Sequence, residues 1–307
     1  KTLITDAERT AYHKGRTHRS PICTAIGVTD SIAAIEASND YLYYFDSSSN
    51  KVYFSCPVAP SASNFVYNGY ANAFSTTNAP AGWSAHFVGL TFVGTSCNIS
   101  NSCNSVLENC RVYSARFSGG YVIDNVKNAT LKGCEVGYTD NGANAPSGDG
   151  INCHVDDGNS ADYRLIDCWS HDSWNDGYSD HENTFAIIDG GLYEYNCLGG
   201  GGAGLTPAYG AIDVIRNVIC QNNTRGIQYS ALSTSARCSV YISNSVCRNN
   251  SEYGFSVLGN AKMEAVNCVA YGKGRGFGGS EYASIRLIGS KSANNTNADQ
   301  YVDIVVP

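Results

Sequence analysis

Two short stretches of the chain repeat one chemically active pattern, Asp-Gly followed by three residues and a His. Asp149 and His154 form the first copy, and Asp176 and His181 form the second, 27 residues further on. If the two stretches are equivalent strands in adjacent coils, their side chains stack about 4.8 Å apart. Stacked carboxylates raise one pKa, and stacked imidazoles do the reverse. The pattern therefore predicts one shared catalytic patch made of Asp149, Asp176, His154 and His181.

The positions beside this patch predict a surface that binds a substrate. Because side chains alternate along a strand, the residue before each Gly and the residues two and four after it share the outer face. In four successive coils this outward set is Asp149, Asn152 and His154; Asp176, Ser179 and His181; Ala203, Thr206 and Ala208; then Arg225, Gln228 and Ser230. The predicted substrate-binding residues are Arg225, Asn152, Ser179 and Gln228, with the aromatic residues Trp174 and Tyr209.

The element that must position these residues is a repeated coil. A phrase with apolar residues around an Asn, Asp or Gly recurs nine times, with its marker position at Leu90, Cys110, Cys134, Cys168, Gly190, Val218, Ser245, Cys268 and Ser290. Periods of about 20–30 residues with short apolar strands indicate a solenoid. Helix formers between the strands are too few for a leucine-rich repeat. The sequence predicts an all-β fold, a single-stranded right-handed parallel β-helix.

Equivalent positions in the coils are chemically alike. Four thiols share one column and are expected to be reduced and buried: Cys110, Cys134, Cys168 and Cys268. The turn beside them is expected to hold Asn109, Asp167, Asp189, Asn217, Asn244 and Asn267. Small thiols pack well in a narrow core, and Asn or Asp side chains can bond to the backbone of a turn. Both columns are interpreted as structural.

The repeat also suggests how the chain is divided. Residues 1–84 are predicted to be an N-terminal cap with lead-in strands, including a hairpin over residues 41–54, where two aromatic-rich runs flank a polar turn. Residues 85–307 are predicted to be the parallel β-helix domain.

Composition excludes several functions. A net charge of −7 gives no basic footprint for nucleic acid. No run approaches the roughly 18 apolar residues of a membrane span, and the N-terminus shows no signal-peptide core. The 13 Cys show neither paired CxxC motifs nor Cys/His metal spacing, so no metal ligands are predicted. A bound Ca²⁺ ion is left open, without a clear motif.

The chain resembles a family of known proteins in its coils and in one strand. Over residues 85–300 the coils resemble right-handed parallel β-helix proteins that act on polysaccharides: pectate-lyase-like lyases, uronan epimerases, rhamnogalacturonase-like hydrolases and phage tailspike depolymerases. The strand from Asp176 to His181 is similar to the Tyr-Gly-Phe-Asp-Pro-His strand of alginate C5-epimerases. His181 matches the family's His, whereas Asp176 replaces its Tyr and Ser179 its Asp. The resemblance implies a polysaccharide substrate and, for a tailspike, a homotrimer assembled in the cytosol, where thiols stay reduced.

Three functions remain open from the sequence. In a lyase or epimerase, His181 or His154 would remove the proton beside a uronate carboxylate, and Arg225 would clamp that carboxylate. In a hydrolase, Asp149 and Asp176 would flank the glycosidic bond, and a separation of about 5 Å would suit retention of configuration. A protein that binds glycan without cleaving it, or a structural spike, is the third alternative. The two His favour the lyase or epimerase.

Overall fold

The structure, a computed structural model, describes most of the chain from residue 84 onward and a few short segments before it. The described residues are 27–28, 33, 37, 42–46, 51–55, 72–75, 84–100, 104–113, 115, 119–139, 148–155, 160–199, 201–231, 239–280, 282–297 and 304–305. The chain divides into a small unit, residues 2–67, and a large unit that holds Lys1 and residues 68–307. The predicted boundary between residues 84 and 85 stays a prediction.

The small unit contains a three-stranded sheet. Its strands are β1 (Gly27–Val28), β2 (Leu42–Asp46) and β3 (Lys51–Ser55). Strands β2 and β3 are antiparallel, with Tyr44 opposite Tyr53. The hairpin predicted over residues 41–54 is therefore confirmed.

The large unit is a parallel β-helix built from three sheets. Sheet 1 contains β4 (Asn72–Ser75), β7 (Ser96–Ser100), β10 (Tyr121–Asp124), β13 (Ile151–His154), β16 (Tyr178–Asp180), β19 (Ala203–Pro207), β22 (Arg225–Ala231), β25 (Tyr253–Gly259) and β28 (Arg275–Gly279). Sheet 2 contains β5 (Ser84–Val88), β8 (Asn104–Glu108), β11 (Asn128–Lys132), β14 (Ala161–Ile166), β17 (Thr184–Asp189), β20 (Ile212–Arg216), β23 (Ser239–Ser243), β26 (Lys262–Val266), β29 (Ser284–Ile288) and β31 (Ile304–Val305). Sheet 3 contains β6 (Thr91–Val93), β9 (Arg111–Tyr113), β12 (Glu135–Gly137), β15 (Trp169–His171), β18 (Leu192–Glu194), β21 (Ile219–Gln221), β24 (Val246–Arg248), β27 (Val269–Tyr271) and β30 (Lys291–Ala293). The strands make about eight turns of right-handed type, which confirms the predicted all-β solenoid.

Alternate residues of the strands point inward and fill the interior of the coils. Leu131 is fully buried and pairs with Leu107 on one side and with Leu165 on the other, so identical side chains stack along the core. Burial of such a side chain stabilises the fold by about 1.5–3 kcal/mol. The stacking of apolar columns fixes the register of every coil.

The turn from sheet 2 to sheet 3 places one residue per coil in the left-handed region, at φ between 50° and 75°. These residues are Gly89, Asn109, Gly133, Asp167, Gly190, Asn217, Asn244, Asn267 and Gly289. Asn, Asp and Gly tolerate this conformation better than other residues. The prediction that Asp189 shares this column is wrong, because Asp189 pairs with Ile166 as the last residue of its strand. Gly190, which has no Cβ, occupies the turn position instead.

The column of thiols follows this turn and is confirmed. Cys110, Cys134, Cys168 and Cys268 are buried and form no disulfide. The Sγ of Cys134 donates to the carbonyl of Leu107 (3.3 Å), in the preceding coil, and the Sγ of Cys168 donates to the carbonyl of Leu131 (3.4 Å). Each thiol therefore fills the core and also bonds to a backbone group of the coil beside it.

A ladder of buried asparagines connects sheet 3 to sheet 1, and the sequence analysis did not find it. The backbone N–H of Asn196 donates to Oδ1 of Asn223 (2.9 Å), and that of Asn223 donates to Oδ1 of Asn250 (3.0 Å). Their side-chain amides donate to the carbonyls of Ser170, Tyr193 and Cys220. The ladder satisfies backbone groups at the entrance to sheet 1, where the predicted catalytic strands begin.

Candidate functional site

The register of sheet 1 brings the predicted site residues together. Asn152 pairs with Ser179, and Ser179 pairs with Thr206. The backbone N–H of His181 donates to the carbonyl of Cys153 (3.1 Å), which sets His181 beside His154 in the adjacent coil. Ile151 and Cys153 are fully buried, so the alternating residues face outward as predicted.

Asp149 is held by three donors and is almost completely buried. Its Oδ1 accepts from Nδ2 of Asn175 (3.0 Å) and from the backbone N–H of Asp176 (3.1 Å), and its Oδ2 accepts from Nδ2 of Asn152 (2.9 Å). Burial raises the pKa of Asp149, against these hydrogen bonds. The carboxyl group joins two coils through the backbone of the second.

Asp176 repeats the arrangement one coil further on. Its Oδ1 accepts from the backbone N–H of Ala203 (2.6 Å) and from the hydroxyl of Thr206 (2.6 Å), while Oδ2 accepts from Nδ2 of Asn175 (3.2 Å). Burial, followed by the charge of Asp149, raises the pKa of Asp176 to about 7. One amide, that of Asn175, bridges both carboxyl groups. The pair is thus built into the scaffold where strands β13 and β16 begin, whereas the histidines lie where these strands end.

His154 lies between two carboxylates at the accessible surface. Its Nδ1 is 3.0 Å from Oδ1 of Asp124, its Nε2 is 3.4 Å from Oε2 of Glu182, and its side chain is 41% exposed. Both ring nitrogens of His154 therefore lie beside a carboxyl oxygen.

His181 has different surroundings. Its Nε2 is 2.9 Å from the Oγ of Ser179, and its ring stacks on Tyr209 with centroids 5.3 Å apart. Burial and then the charge of His154 lower the pKa of His181 to about 4. At neutral pH this imidazole is uncharged and has a nitrogen available as a base. The two histidines therefore occupy the same column but have different surroundings.

Arg225 already has acceptors for its guanidinium. Nε and a terminal nitrogen each lie 2.8 Å from Oε2 of Glu252, and the other terminal nitrogen donates to the carbonyl of Gly201 (2.9 Å) and to Oε1 of Gln228 (2.7 Å). A uronate carboxylate would have to displace Glu252 to be clamped there. Gln228 is placed in the outer column of sheet 1 as predicted.

Two predicted aromatic residues stand at opposite ends of the outer face of sheet 1. Trp174 precedes strand β16 and Tyr209 follows strand β19, and both are nearly two-fifths exposed. Trp174 lies so close to Gly199 that a Cβ at that glycine would be 2.5 Å from its Nε1. Exposed aromatic faces of this kind suit packing against sugar rings.

Two residues of the site, Asp124 and Glu182, were missed by the sequence analysis. Asp124 comes four positions after Gly120, so the column rule that found the histidines would have found it one coil earlier. Glu182 lies in a turn with φ 59°, directly after the strand, and no repeated pattern marks it.

A second charged cluster lies on sheet 3. His171 is 2.8 Å from Oδ2 of Asp172 and 3.5 Å from Oε1 of Glu135, and its ring stacks on Trp169 with centroids 4.1 Å apart. Burial lowers the pKa of His171, but the hydrogen bonds to Asp172 and Glu135 outweigh it and the net shift is upward. Glu135 and His171 are almost completely buried, whereas the side chain of His154 on sheet 1 is 41% exposed.

Comparison with known proteins assigns the chain to no family. No protein-family model matches the chain, and neither a curated protein nor a solved structure matches it. Among the described residues, no group of three or more His, Cys, Asp or Glu could hold a metal ion. The described part of the chain also contains no helix of the length and apolarity that a membrane crossing requires.

Proposed function

We propose that the outer face of sheet 1 binds a polysaccharide and that His181 and His154 transfer protons at one of its sugar rings, as a lyase or epimerase of uronates does. The single observation that carries this proposal is that two histidines lie side by side in adjacent coils with different surroundings: His154 between the carboxyl groups of Asp124 and Glu182, and His181 against Ser179 and Tyr209. A pair of titratable groups whose surroundings favour different protonation states is the usual arrangement of a base and an acid.

In this proposal His181 is the base. Its neutral imidazole accepts the proton from the carbon beside the uronate carboxylate once the sugar replaces the hydrogen bond from Ser179. His154, flanked by Asp124 and Glu182, is the acid. It returns a proton to the sugar ring in an epimerase, or to the departing glycosidic oxygen in a lyase.

The surface around the histidines supports a carbohydrate as the substrate. Asn152, Ser179, Thr206 and Gln228 form a row of neutral hydrogen-bonding side chains across four coils. Trp174, before strand β16, and Tyr209, after strand β19, supply aromatic faces on the two sides of this row. An anionic sugar would compete with Glu252 for the guanidinium of Arg225.

The test is incubation of the protein with a panel of acidic polysaccharides. A lyase produces the ultraviolet absorbance of an unsaturated uronate, and an epimerase changes the product's nuclear magnetic resonance spectrum without new chain ends. New reducing ends without an unsaturated product would identify a hydrolase instead. Binding without any product would identify a glycan-binding protein and would overturn the proposal.

A hydrolase is the second candidate, and one observation favours it. Asp176, with a pKa raised to about 7, holds a proton in part of the molecules at neutral pH, as a general acid must. The neighbouring Asp149 would be the second carboxylate. Both are already satisfied by three donors each, so substrate would have to exchange at least one of these hydrogen bonds.

A further inference from the structure

Ser179 and His181 form a hydrogen bond that the proposed proton transfer at the sugar ring does not use. The Oγ of Ser179 lies 2.9 Å from Nε2 of His181; Ser179 is in strand β16, and His181 is the first residue after that strand. With the proton of the neutral ring assigned to Nδ1, Nε2 accepts from the Ser hydroxyl. A hydroxyl that donates to a neutral imidazole is the arrangement that activates a nucleophilic Ser.

We propose that Ser179 is a nucleophile, activated by His181, that removes small O-acyl groups such as acetyl from sugars bound on sheet 1. This activity goes beyond the proposed proton transfer at the sugar ring. It uses the same histidine, but it acts on an ester and needs no uronate.

The reaction balances with water as the only co-reactant. The Oγ of Ser179 forms a bond to the ester carbonyl carbon while its proton moves to Nε2 of His181. The C–O bond to the sugar then breaks, and the sugar oxygen takes that proton. Water, deprotonated by His181, then attacks the acyl carbon. The bond from that carbon to Oγ breaks, Oγ takes the proton back from His181, and the carboxylic acid leaves.

Neighbouring coils supply the rest of the site. Asn152 is in register with Ser179, and its Nδ2 donates one hydrogen to Oδ2 of Asp149 (2.9 Å). The second hydrogen of that amide is the donor that we assign to the oxyanion. Ser179 is only 2% exposed and lies between Asn152 and Thr206, so a short acyl chain fits this position better than a long one.

The same column contains an internal control. Ser256 occupies the position of Ser179 three coils further on and is equally buried, at 2% exposure. Two residues after Ser256 the chain has Leu258, whereas two residues after Ser179 it has His181. The Oγ of Ser256 has no hydrogen-bond partner in the described part of the structure. The two serines differ mainly in the histidine.

The experiment uses the full chain, an aryl acetate that releases a coloured phenol, and a fluorophosphonate that labels activated serines. We expect phenol release and one label, located on Ser179 by mass spectrometry of peptides. Ser179→Ala should abolish the label, and both Ser179→Ala and His181→Asn should lower phenol release at least about 100-fold, the lower end of general-base effects. Ser256→Ala should leave both readouts unchanged.

Circular dichroism and thermal unfolding of each variant separate loss of the nucleophile from loss of the fold. Phenol release that persists in folded Ser179→Ala would overturn the proposal, as would equal labelling of Ser179 and Ser256 or absence of any label. Failure here leaves the proton-transfer proposal intact, because that proposal is measured on polyuronates and does not need the Ser hydroxyl as a nucleophile.

Discussion

Two pairs of aspartates, one on the outer face of sheet 1 and one behind it, have different hydrogen-bond partners. On the outer face, Asp149 and Asp176 each accept three hydrogen bonds from amides, backbone N–H groups or a hydroxyl. Behind the sheet, Asp180 and Asp213 point into the core and are fully buried. Asp180 accepts from the hydroxyl of Thr184 (2.7 Å), and Asp213 accepts from the backbone N–H of Ala186 (3.1 Å).

Asp180 and Asp213, the inner pair, have too few hydrogen-bond donors around them to stabilise two ionised carboxylates. Among the described residues, no backbone N–H donates to Oδ1 of Asp180 or to Oδ2 of Asp213. The two carboxyl groups face each other, and Asp180 also faces the hydroxyl of Tyr178. Burial raises the pKa of Asp180 to about 7 and the pKa of Asp213 well above its ordinary value. Burial also raises the pKa of Asp176 to about 7, although this carboxyl group accepts three hydrogen bonds, so donors alone do not prevent titration. The comparison teaches that the two pairs differ in their partners: the outer carboxyl groups bond to the backbone and side chains of adjacent coils, whereas the inner ones face each other. The inner pair is expected to share a proton.

The largest expected effect concerns the outer face. His181→Asn should lower turnover of the polysaccharide by two to four orders of magnitude, because a positioned base contributes about that much. The pKa of about 4 predicts that wild-type turnover persists at pH 6 and falls as the pH drops through 4, when His181 gains a proton. Initial rates against pH provide the measurement.

His86→Asn is the control for this prediction, because His86 is an exposed histidine on sheet 2 whose side chain is 61% accessible. Its turnover should equal that of the wild type. Unchanged turnover in folded His181→Asn would move the chemistry away from this column.

The next effect concerns the inner pair. The unfolded carboxyls lose their protons near pH 4, whereas folded Asp180 keeps its proton up to about pH 7, so the unfolded state binds fewer protons in between. Stability should therefore fall as the pH rises through this window, by up to about 1.4 kcal/mol per pH unit for one proton. Asp213→Asn should flatten this dependence, since an amide can donate to Asp180 without ionising.

Urea unfolding at several pH values between 4 and 8 measures this slope. The groups that face the inner pair are Cys153, Tyr163 and Tyr178, and burial raises the pKa of each, so none of them titrates in the window. Asp162→Asn, an exposed acid on sheet 2, should keep the wild-type slope. Equal slopes in wild type and Asp213→Asn would show that the inner pair does not share a proton.

A smaller loss is expected from the asparagine ladder. Asn223→Ala removes an acceptor for the backbone N–H of Asn196 and a donor to the carbonyl of Tyr193, and both partners are buried. An unsatisfied buried group costs about 1–3 kcal/mol. Thermal or urea unfolding should show this loss, whereas Asn104→Ala, at an exposed strand start, should have almost no effect. A neutral result at Asn223 would mean that water replaces the lost contacts.

The smallest effect is expected in the thiol column. Cys134→Ser should change the free energy of unfolding by about 1 kcal/mol or less, because a hydroxyl can also donate to the carbonyl of Leu107. Ser290 already does this in the same column, with its Oγ 2.8 Å from the carbonyl of Ala265. The four native thiols should react with a thiol reagent only after denaturation. Rapid labelling of the native protein would contradict their burial.

Much of the fold followed from the sequence because a solenoid repeats its chemistry. Apolar positions and left-handed turn residues recur in each coil, so the columns of Cys134 and of His154 could be aligned without a structure. The error at Asp189 arose where Asp and Gly are adjacent and either residue type can occupy the turn. Pairing with Ile166 in the sheet decided in favour of Gly190.

The burial and the hydrogen-bond partners of each site residue could not be predicted from the repeat. Alternation places Asp149 and Asp176 outward, but their burial depends on Asn175 and Thr206, which cover them from other positions of the coils. Asp180 faces the core against the usual pattern, and its neighbour Asp213 belongs to another sheet. Contacts between sheets have no fixed spacing along the chain, so a periodic pattern does not reveal them.

The regular spacing of the asparagine ladder suggests that the number of coils can change while the two histidines keep their positions. Asn223 and Asn250 are 27 residues apart and occupy the same position in successive coils. Deleting residues 224–250 would join Asn223 to Ser251 and remove one strand from each sheet, while His154, His181 and Tyr209 stay in place. A repeat protein in which each coil contacts only its neighbours accommodates such whole-coil steps. The same deletion would remove Arg225 and Gln228, so the molecule can change length in whole-coil steps around the two histidines while its row of hydrogen-bonding side chains changes with it.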